Sequence, residues 1–192
     1  DLLHDTSYDD AIAGCELVFH TASPFSFKVE DPQFDLLDPA ILGTRNVLAS
    51  ANKEKSVKRI VLTSSVAAMI GDQKDSLDMP NREITEEFWN TTSSLLHRPY
   101  SFSKVMAEKE AWRLSKQQSK WDLVTINPTF VMGPGINPFG TSESFDIFNG
   151  FLNGDYKIGL PDLKMACVDV RDVARAHVKA GFIPSASGRY II

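Results

Sequence analysis

The chain has 192 residues, of which 43% are hydrophobic and 23% are charged, a composition that supports a buried core and excludes intrinsic disorder. Its formal net charge of -5 and pI near 5.4 provide no general attraction for nucleic acid or an anionic membrane. No apolar stretch approaches the roughly 20 residues that a membrane-spanning helix needs, so small molecules are the expected partners.

Two further features of the sequence indicate a cytoplasmic protein. The N-terminus has neither the basic nor the apolar region of a signal peptide. Cys15 and Cys167 match neither a CxxC motif nor a metal-binding spacing, so we expect both thiols to be reduced and buried. The four histidines show no helical pairing with carboxylates or cysteines, and no metal site is predicted.

The first half of the chain alternates short apolar strands with longer amphipathic stretches. We predict strands over residues 16–20 and 59–63, and the second is almost continuously apolar, as in a parallel sheet covered on both faces. An apolar stripe predicts a helix over about 37–53. A loop is expected over about 71–83, followed by a short helix over 85–89.

The second half continues the alternation. Its Gly-rich and Pro-rich stretch over 133–144 is unsuited to regular structure and is typical of a pocket wall. The predicted elements are, in chain order, a helix from Tyr100 to about 118, a strand over 123–126, a helix over 144–152, a strand over 166–168, a helix over 170–181 and a strand over 189–192.

This order of elements predicts an α/β fold with a doubly wound parallel sheet. Ligands of such folds bind at the carboxyl ends of the strands. Polar residues follow three predicted strands: Thr21 the first, Ser64 and Ser65 the second, and Thr129 the third. Because Tyr100 opens an intervening helix, we expect these groups to meet in one crevice. No repeat or linker interrupts the chain, so one domain is predicted.

Tyr100 and Lys104 are the most suggestive pair of side chains. They are four residues apart, which places phenol and ammonium on one helix face. A tyrosine has a pKa of about 10, and a nearby positive charge can lower it, so we expect Lys104 to make Tyr100 a better acid. Ser65 can donate a hydrogen bond to the same carbonyl oxygen. Carbonyl reduction also needs a hydride, which must come from a cofactor because no side chain can supply one.

Six motifs in order carry a resemblance that covers nearly the whole chain. They are His20–Phe25 (HTASPF), Gly43–Leu48 (GTRNVL), Val61–Ser65 (VLTSS), Tyr100–Lys104 (YSFSK), Asn127–Pro134 (NPTFVMGP) and Val168–Ala174 (VDVRDVA). The chain thereby resembles the dihydroflavonol-reductase and aldehyde-reductase branch of the extended short-chain dehydrogenase/reductase superfamily. This resemblance implies a Rossmann-like fold and NAD(P)H-dependent reduction of a carbonyl group.

The resemblance also implies roles for individual residues. Ser65, Tyr100 and Lys104 are the expected catalytic set, with Tyr100 as the proton donor. Tyr100 and Lys104 also contact the cofactor in this family, together with the residues that match its other cofactor-binding positions: Asp1, Leu2, Thr21, Ala22, Thr63, Ser64, Pro128, Val131 and Ser144. The expected cofactor is NADP(H) rather than NAD(H).

Two departures from related motifs narrow the expected substrate. Cinnamoyl-CoA reductases carry Asn-Trp-Tyr-Cys-Tyr around the catalytic tyrosine, whereas this chain has Arg98–Phe102 (RPYSF) there, so a CoA thioester is not expected. Dihydroflavonol reductases carry an asparagine where this chain has Ile70. We therefore expect an apolar pocket for an aldehyde or simple ketone, with substrate contacts from Phe25, Ser65, Met69, Ile70, Tyr100 and Phe139.

A further departure concerns the extent of the chain. The family's glycine-rich phosphate-binding turn and the residue that selects NADP or NAD have no match in the sequence. We therefore expect residues 1–192 to form a single, partial dinucleotide-binding domain, incomplete at both ends, with part of the substrate pocket at about 133–165. The resemblance permits a monomer or a homodimer. The alternatives are a nucleotide-sugar epimerase or dehydratase, a non-catalytic dinucleotide-binding protein and an inactive fragment.

Overall fold

A parallel sheet of four strands organises the chain. The computed structural model describes residues 1–24, 29–137, 142–157, 159 and 165–192. The strands lie in the order β1-β2-β3-β6, and each neighbouring pair is parallel. Their bounds are β1 Leu17–His20, β2 Arg59–Thr63, β3 Asp122–Asn127 and β6 Gly188–Ile191.

Helices cover both faces of this sheet. Their bounds are α1 Asp9–Ile12, α2 Asp38–Lys53, α3 Pro99–Ser115, α4 Glu143–Asn153 and α5 Val170–Phe182. On one face, apolar residues of α2 and α3 pack against Ile60, Leu62 and Leu123. On the other face, Ala180 of α5 packs against Val61 and Val124. Helices on both faces of a parallel sheet confirm the predicted doubly wound α/β class.

A second, two-stranded parallel sheet lies beside the main one. β4 is Phe130–Met132 and pairs with β5, Cys167–Asp169. β5 leads directly into α5, because Asp169 ends the strand and its carboxylate caps the helix by accepting a hydrogen bond from the Arg171 amide at 2.8 Å. β5 is predicted by the sequence pattern and β4 is not, because a strand of three residues after Pro128 is too short to show a period.

The predicted short helix over 85–89 is wrong. This segment contains only a turn, in which the Phe88 amide donates to the Thr85 carbonyl at 3.2 Å. Arg189 provides the physical reason, because its guanidinium donates to the carbonyls of Glu86 at 2.8 Å and Phe88 at 2.6 Å. The expected burial of the cysteines is also wrong, since Cys15 is only half-buried and Cys167 is exposed, although both are free thiols.

No helix within the described ranges is long and apolar enough to cross a bilayer. The same residues contain no group of three or more His, Cys, Asp or Glu side chains that could hold a metal ion.

Candidate active site

The N-terminus of α3 presents the predicted proton donor. Pro99 occupies the first helical position, where its missing amide hydrogen costs nothing. Arg98 precedes it in a left-handed conformation with φ of 54°, and its Nε donates to Asp72 at 2.6 Å. His97 lies 3.0 Å from the same carboxylate. This contact anchors the strained residue that comes two positions before Tyr100.

Tyr100 and Lys104 face the same side of α3, as their spacing predicted. The Lys104 Nζ lies 5.9 Å from the centroid of the Tyr100 ring. Lys104 is buried, with 7% of its surface exposed, whereas Tyr100 is half-buried. The structure therefore brings together the phenol and a desolvated ammonium.

Ser65 reaches the same place from the end of β2. Its backbone is extended, and its hydroxyl accepts a hydrogen bond from the Ala67 amide at 3.1 Å, which caps a short 3-10 turn over Val66–Ala68. The Ser65 hydroxyl is also hydrogen-bonded to Tyr100. Two of the three expected catalytic groups are therefore in direct contact, and a carbonyl oxygen beside them can receive hydrogen bonds from both.

A pocket opens at the carboxyl ends of β1 and β2, and of the three expected catalytic residues Lys104 lines it. It is lined by residues of β1, β2, α2 and α3, namely His20, Ala22, Ser23, Thr44, Leu62, Thr63, Ser64, Lys104, Ala107 and Glu108. Its polar side chains are four with hydroxyl groups, one imidazole, one buried ammonium and one buried carboxylate. Such a set suits a ligand that carries hydroxyl groups, for example the ribose of a dinucleotide.

The expected lowering of the Tyr100 pKa by Lys104 is not seen. Burial raises the pKa of Tyr100 to about 12, and the hydrogen bond with Ser65 acts against that increase. The reason is that removing the phenolate from water costs more than the Ser65 hydrogen bond recovers. Tyr100 therefore holds its proton at neutral pH, as a proton donor must.

Lys104 and His20 are perturbed by the same desolvation. Burial lowers the pKa of Lys104 to about 8, and the charge of Glu108 acts in the opposite direction. Burial, together with the Lys104 ammonium, lowers the pKa of His20 to about 4. At neutral pH the pocket therefore contains a neutral imidazole beside a lysine that gains from a nearby negative charge.

Thr63 is held by a histidine from the opposite face of the sheet. Its hydroxyl lies 2.6 Å from Nε2 of His177 on α5. The other ring nitrogen, Nδ1, lies 2.8 Å from the Val173 carbonyl. α5 thus fixes the orientation of a side chain that lines the pocket.

The structure places the other predicted site residues at varying distances from this centre. Ser64 is buried in the pocket wall, and Pro128 is joined to the serine segment because its carbonyl accepts from the Val66 amide at 2.9 Å. Met69 is completely buried, so it supports the wall instead of offering surface to a substrate. Ile70 is half-buried. Thr21 is exposed, directly after β1.

Several predicted residues are not brought to the pocket by any described contact. Leu2 packs on Gly43 of α2, and its carbonyl accepts from Asn46 at 2.8 Å. Asp1 is exposed and accepts from the Leu3 amide. The other predicted residues without such a contact are Val131 in β4 and Ser144 in α4. Phe25 and Phe139 lie outside the described residues.

Six residues that line the pocket received no role from the sequence: His20, Ser23, Thr44, Leu62, Ala107 and Glu108. Glu108 had a detectable signal, because it follows Lys104 by four residues and therefore lies on the same helix face. His20 and Ser23 belong to the HTASPF motif, in which only Thr21, Ala22 and Phe25 received roles.

Comparison with known proteins agrees with this architecture. Cinnamoyl-CoA reductase CAD2 of Medicago truncatula is 40% identical over all of this chain, which covers 58% of that protein. An anthocyanidin reductase of Vitis vinifera is 37% identical over the whole chain, which covers 59% of it. The solved structure of yeast methylglyoxal/isovaleraldehyde reductase Gre2 complexed with NADPH matches all of the chain with a TM-score of 0.86 and 31% identity, and the chain covers 61% of it.

The chain therefore spans about three-fifths of the length of these relatives. The model of the NAD-dependent epimerase/dehydratase family matches residues 1–187. Together with the fold and the site, these matches confirm the resemblance noted in the sequence: the chain belongs to the NAD-dependent epimerase/dehydratase family, in the dihydroflavonol-reductase-like branch of the extended short-chain dehydrogenases/reductases.

Proposed function

We propose that the protein containing this chain is an NADPH-dependent carbonyl reductase that acts on an aldehyde or a simple ketone. The observation that carries this proposal is the contact between Tyr100 and Ser65 beside the buried Lys104. The relatives add support, because those named above are reductases and the yeast structure contains NADPH.

In this proposal each of the three side chains has one task. Ser65 donates a hydrogen bond to the carbonyl oxygen and so stabilises the negative charge that develops there. Tyr100 transfers its phenolic proton to that oxygen, which its raised pKa keeps available at neutral pH. The Lys104 ammonium stabilises the resulting phenolate through its charge.

The residues present fit a nicotinamide dinucleotide. Ser23, Thr63, Ser64 and Lys104 line one pocket, and side chains that carry hydroxyl and amino groups suit ribose hydroxyls. Thr21, Ala22, Pro128 and Val131 would lie on the nicotinamide side. When bound, the reduced nicotinamide supplies the hydride that the carbonyl carbon accepts.

The expected substrate remains a small carbonyl compound. Ile70 is half-buried and is joined to the turn after Ser65, because its amide donates to the Val66 carbonyl at 3.1 Å, and its side chain would be an apolar substrate contact. The segment Arg98–Phe102 departs from the cinnamoyl-CoA reductase motif even though one relative has that name. A CoA thioester is therefore not proposed.

The test is oxidation of NADPH and NADH by the full-length natural polypeptide that contains this chain. The panel contains aldehydes, ketones, flavonoids and a cinnamoyl-CoA thioester. We expect NADPH-dependent reduction of aldehydes or simple ketones and a loss of at least about 100-fold in kcat for Tyr100→Phe. Tyr8→Phe is the matched control, because Tyr8 packs on the core beneath α2 and should leave kcat unchanged.

Wild-type turnover by Tyr100→Phe would disprove the catalytic assignment. A full-length protein that transforms a nucleotide sugar but no carbonyl compound would favour the epimerase or dehydratase class instead.

A further inference from the structure

A buried carboxylate that the proposed mechanism does not use lies at the centre of the site. Glu108 is 1% exposed and follows Lys104 by one helical turn. Its Oε2 accepts hydrogen bonds from the Ser64 hydroxyl and from Nδ2 of Asn127, the latter at 2.7 Å. Both donors belong to strand ends at the pocket, so this oxygen joins α3 to β2 and β3.

The second carboxylate oxygen of Glu108 binds the far strand of the sheet. Oε1 accepts from Nε of Arg189 on β6 at 2.6 Å, and the side chains of this ion pair are almost fully buried. It also accepts from Nε1 of Trp112 at 3.2 Å and from the Thr125 hydroxyl at 3.4 Å. One side chain of α3 therefore contacts three strands of the main sheet.

Asn127 extends this network to the catalytic serine. Its Nδ2 donates to the Ser65 carbonyl at 3.1 Å as well as to Glu108. The one hydrogen of the Thr125 hydroxyl is shared between the Asn127 Oδ1 at 3.1 Å and the Glu108 Oε1 at 3.4 Å, so the Asn127 oxygen faces Thr125 and its Nδ2 faces Glu108. A shift of the Glu108 carboxylate would therefore remove one of the contacts that hold the Asn127 amide against Ser65, the residue that is hydrogen-bonded to Tyr100.

The charge of Glu108 also acts on Lys104. Both side chains line the same pocket from one helix face. His20 faces them from β1 and is neutral at neutral pH, and Tyr100 holds its proton. The described neighbours from α2 and β2 in this pocket, Thr44, Leu62, Thr63 and Ser64, carry no charge. Arg189 on β6 adds a positive charge near this pocket through its ion pair with Glu108.

We propose that Glu108 is a positioning residue of this active site: its carboxylate holds the Ser65 strand end against α3 and provides the buried counter-charge for the Lys104 ammonium. This inference rests on the proposed reductase function. It assigns to Glu108 no contact with the substrate or with the reacting atoms.

Stability alone accounts poorly for this arrangement. Replacing a buried ion pair by apolar groups of similar volume is often neutral for stability or increases it. Moreover, Nη2 of Arg189 is buried with no hydrogen-bond partner among the described residues. An ion pair with this defect is a costly way to fill the space, and the contacts of Glu108 with Ser64 and Asn127, together with its place beside Lys104 in one pocket, point to a role in the site.

The test compares Glu108→Gln with Glu108→Asp in the full-length polypeptide, with kcat/KM measured from about pH 6 to 10. Glu108→Gln removes the charge that raises the pKa of Lys104. The alkaline limb of the kcat/KM profile, where Lys104 loses its proton, should therefore move down by about one pH unit. Glu108→Asp keeps the charge but shortens the side chain. It should keep the wild-type alkaline limb and lower kcat about tenfold, because the contacts with Ser64 and Asn127 are lost.

Glu110→Gln is the matched control on the same helix. Glu110 is also a buried, ion-paired carboxylate, but its partners are Arg45 and Arg113, away from the pocket. The alkaline limb of the kcat/KM profile of Glu110→Gln should coincide with that of the wild type. If Glu108→Gln does not fold, Glu108→Gln/Arg189→Met replaces it, because removal of both members of the ion pair leaves no buried Arg189 guanidinium without its partner, and the same downward shift is expected.

A second readout does not depend on turnover. The pH dependence of Lys104 modification by acetic anhydride, followed by peptide mass spectrometry, reports the fraction of deprotonated amine. Its midpoint should fall by about one pH unit in Glu108→Gln and stay unchanged in Glu110→Gln.

The inference is overturned if Glu108→Gln, or its double variant, keeps both the wild-type alkaline limb and the wild-type labelling midpoint. An equal shift in Glu110→Gln would overturn it as well. Failure of the proposed function gives a different result, namely a wild-type protein without carbonyl reduction, and in that case the labelling midpoint still decides whether Glu108 sets the charge state of Lys104.

Discussion

Two carboxylates on α3, two residues apart, have opposite surroundings. Glu108 points into the sheet and pairs with Arg189, whose side chain is 8% exposed. Glu110 points toward α2 and pairs with Arg45 and Arg113, whose side chains are 51% and 52% exposed. The two sites contain the same ionic groups at similar distances and differ mainly in their access to water.

This difference determines what each ion pair can do. Water screens the charges around Glu110, so that pair can add a little stability and act on few other groups. Around Glu108 water screens charges only weakly, so the carboxylate charge acts on Lys104. Removal of this carboxylate would leave buried hydrogen-bond donors without an acceptor. The same chemical group pairs with exposed arginines in one position and with a buried arginine in the other.

The largest effect should come from Arg189→Met, which leaves the Glu108 carboxylate buried without its counter-ion. We expect a loss of about 3–5 kcal/mol in the free energy of unfolding, measured by urea denaturation of the full-length protein. Arg113→Met makes the corresponding change at Glu110 and should cost less than about 1 kcal/mol. Equal losses in the two variants would show that burial does not distinguish the pairs.

A smaller effect is expected from Trp89→Leu. The Arg189 guanidinium lies 3.8 Å from the centroid of the Trp89 ring, a cation–π contact in a partly buried place. Its loss should cost about 1–2 kcal/mol. The cost should shrink when Trp89→Leu is introduced into Arg189→Met, and a double-mutant cycle measures this coupling. Additive losses would mean that Trp89 stabilises the fold independently of Arg189.

The smallest effect is expected from Glu110→Gln, and it should depend on pH. The hydrogen bond from Arg113 and the charge of Arg45 lower the pKa of Glu110 to about 2. Because the pKa is lowered in the folded state, its stabilisation is present above about pH 4.5 and is lost as the pH falls toward 2. We expect a cost of about 1 kcal/mol at pH 6, since both arginines are half exposed.

That cost should nearly disappear at pH 2.5 and should diminish in 0.5 M salt. Thermal unfolding of variant and wild type under these conditions provides the measurement. A difference in stability that stays constant between pH 6 and pH 2.5 would contradict the assigned ion pairs.

The sequence predicted elements that depend on local patterns. The strand at 59–63 is a nearly continuous apolar run, and α2 has an apolar stripe, so both were placed within a residue or two. The tyrosine helix was also found, although it ends at Ser115 instead of near 118. These features need no knowledge of distant residues.

What the sequence did not show depends on long-range contacts. Glu108 and Arg189 are 81 positions apart, and no local period links them. An arginine in an otherwise apolar terminal strand was the available signal. The same arginine explains the missing helix at 85–89, because its hydrogen bonds hold the Glu86 and Phe88 carbonyls in a turn. The raised pKa of Tyr100 was likewise hidden, since burial cannot be read from the YSFSK spacing.

The bond between His177 and Thr63 gives the pocket wall a fixed polarity. The Val173 carbonyl can only accept, so the His177 Nδ1 facing it carries the hydrogen. In the neutral ring, Nε2 then has a lone pair and must accept, so the Thr63 hydroxyl donates its only hydrogen away from the pocket. With the histidine ring in that form, Thr63 can offer a bound molecule only its oxygen lone pairs, so a ligand group placed beside it would have to be a donor such as a hydroxyl or an amide.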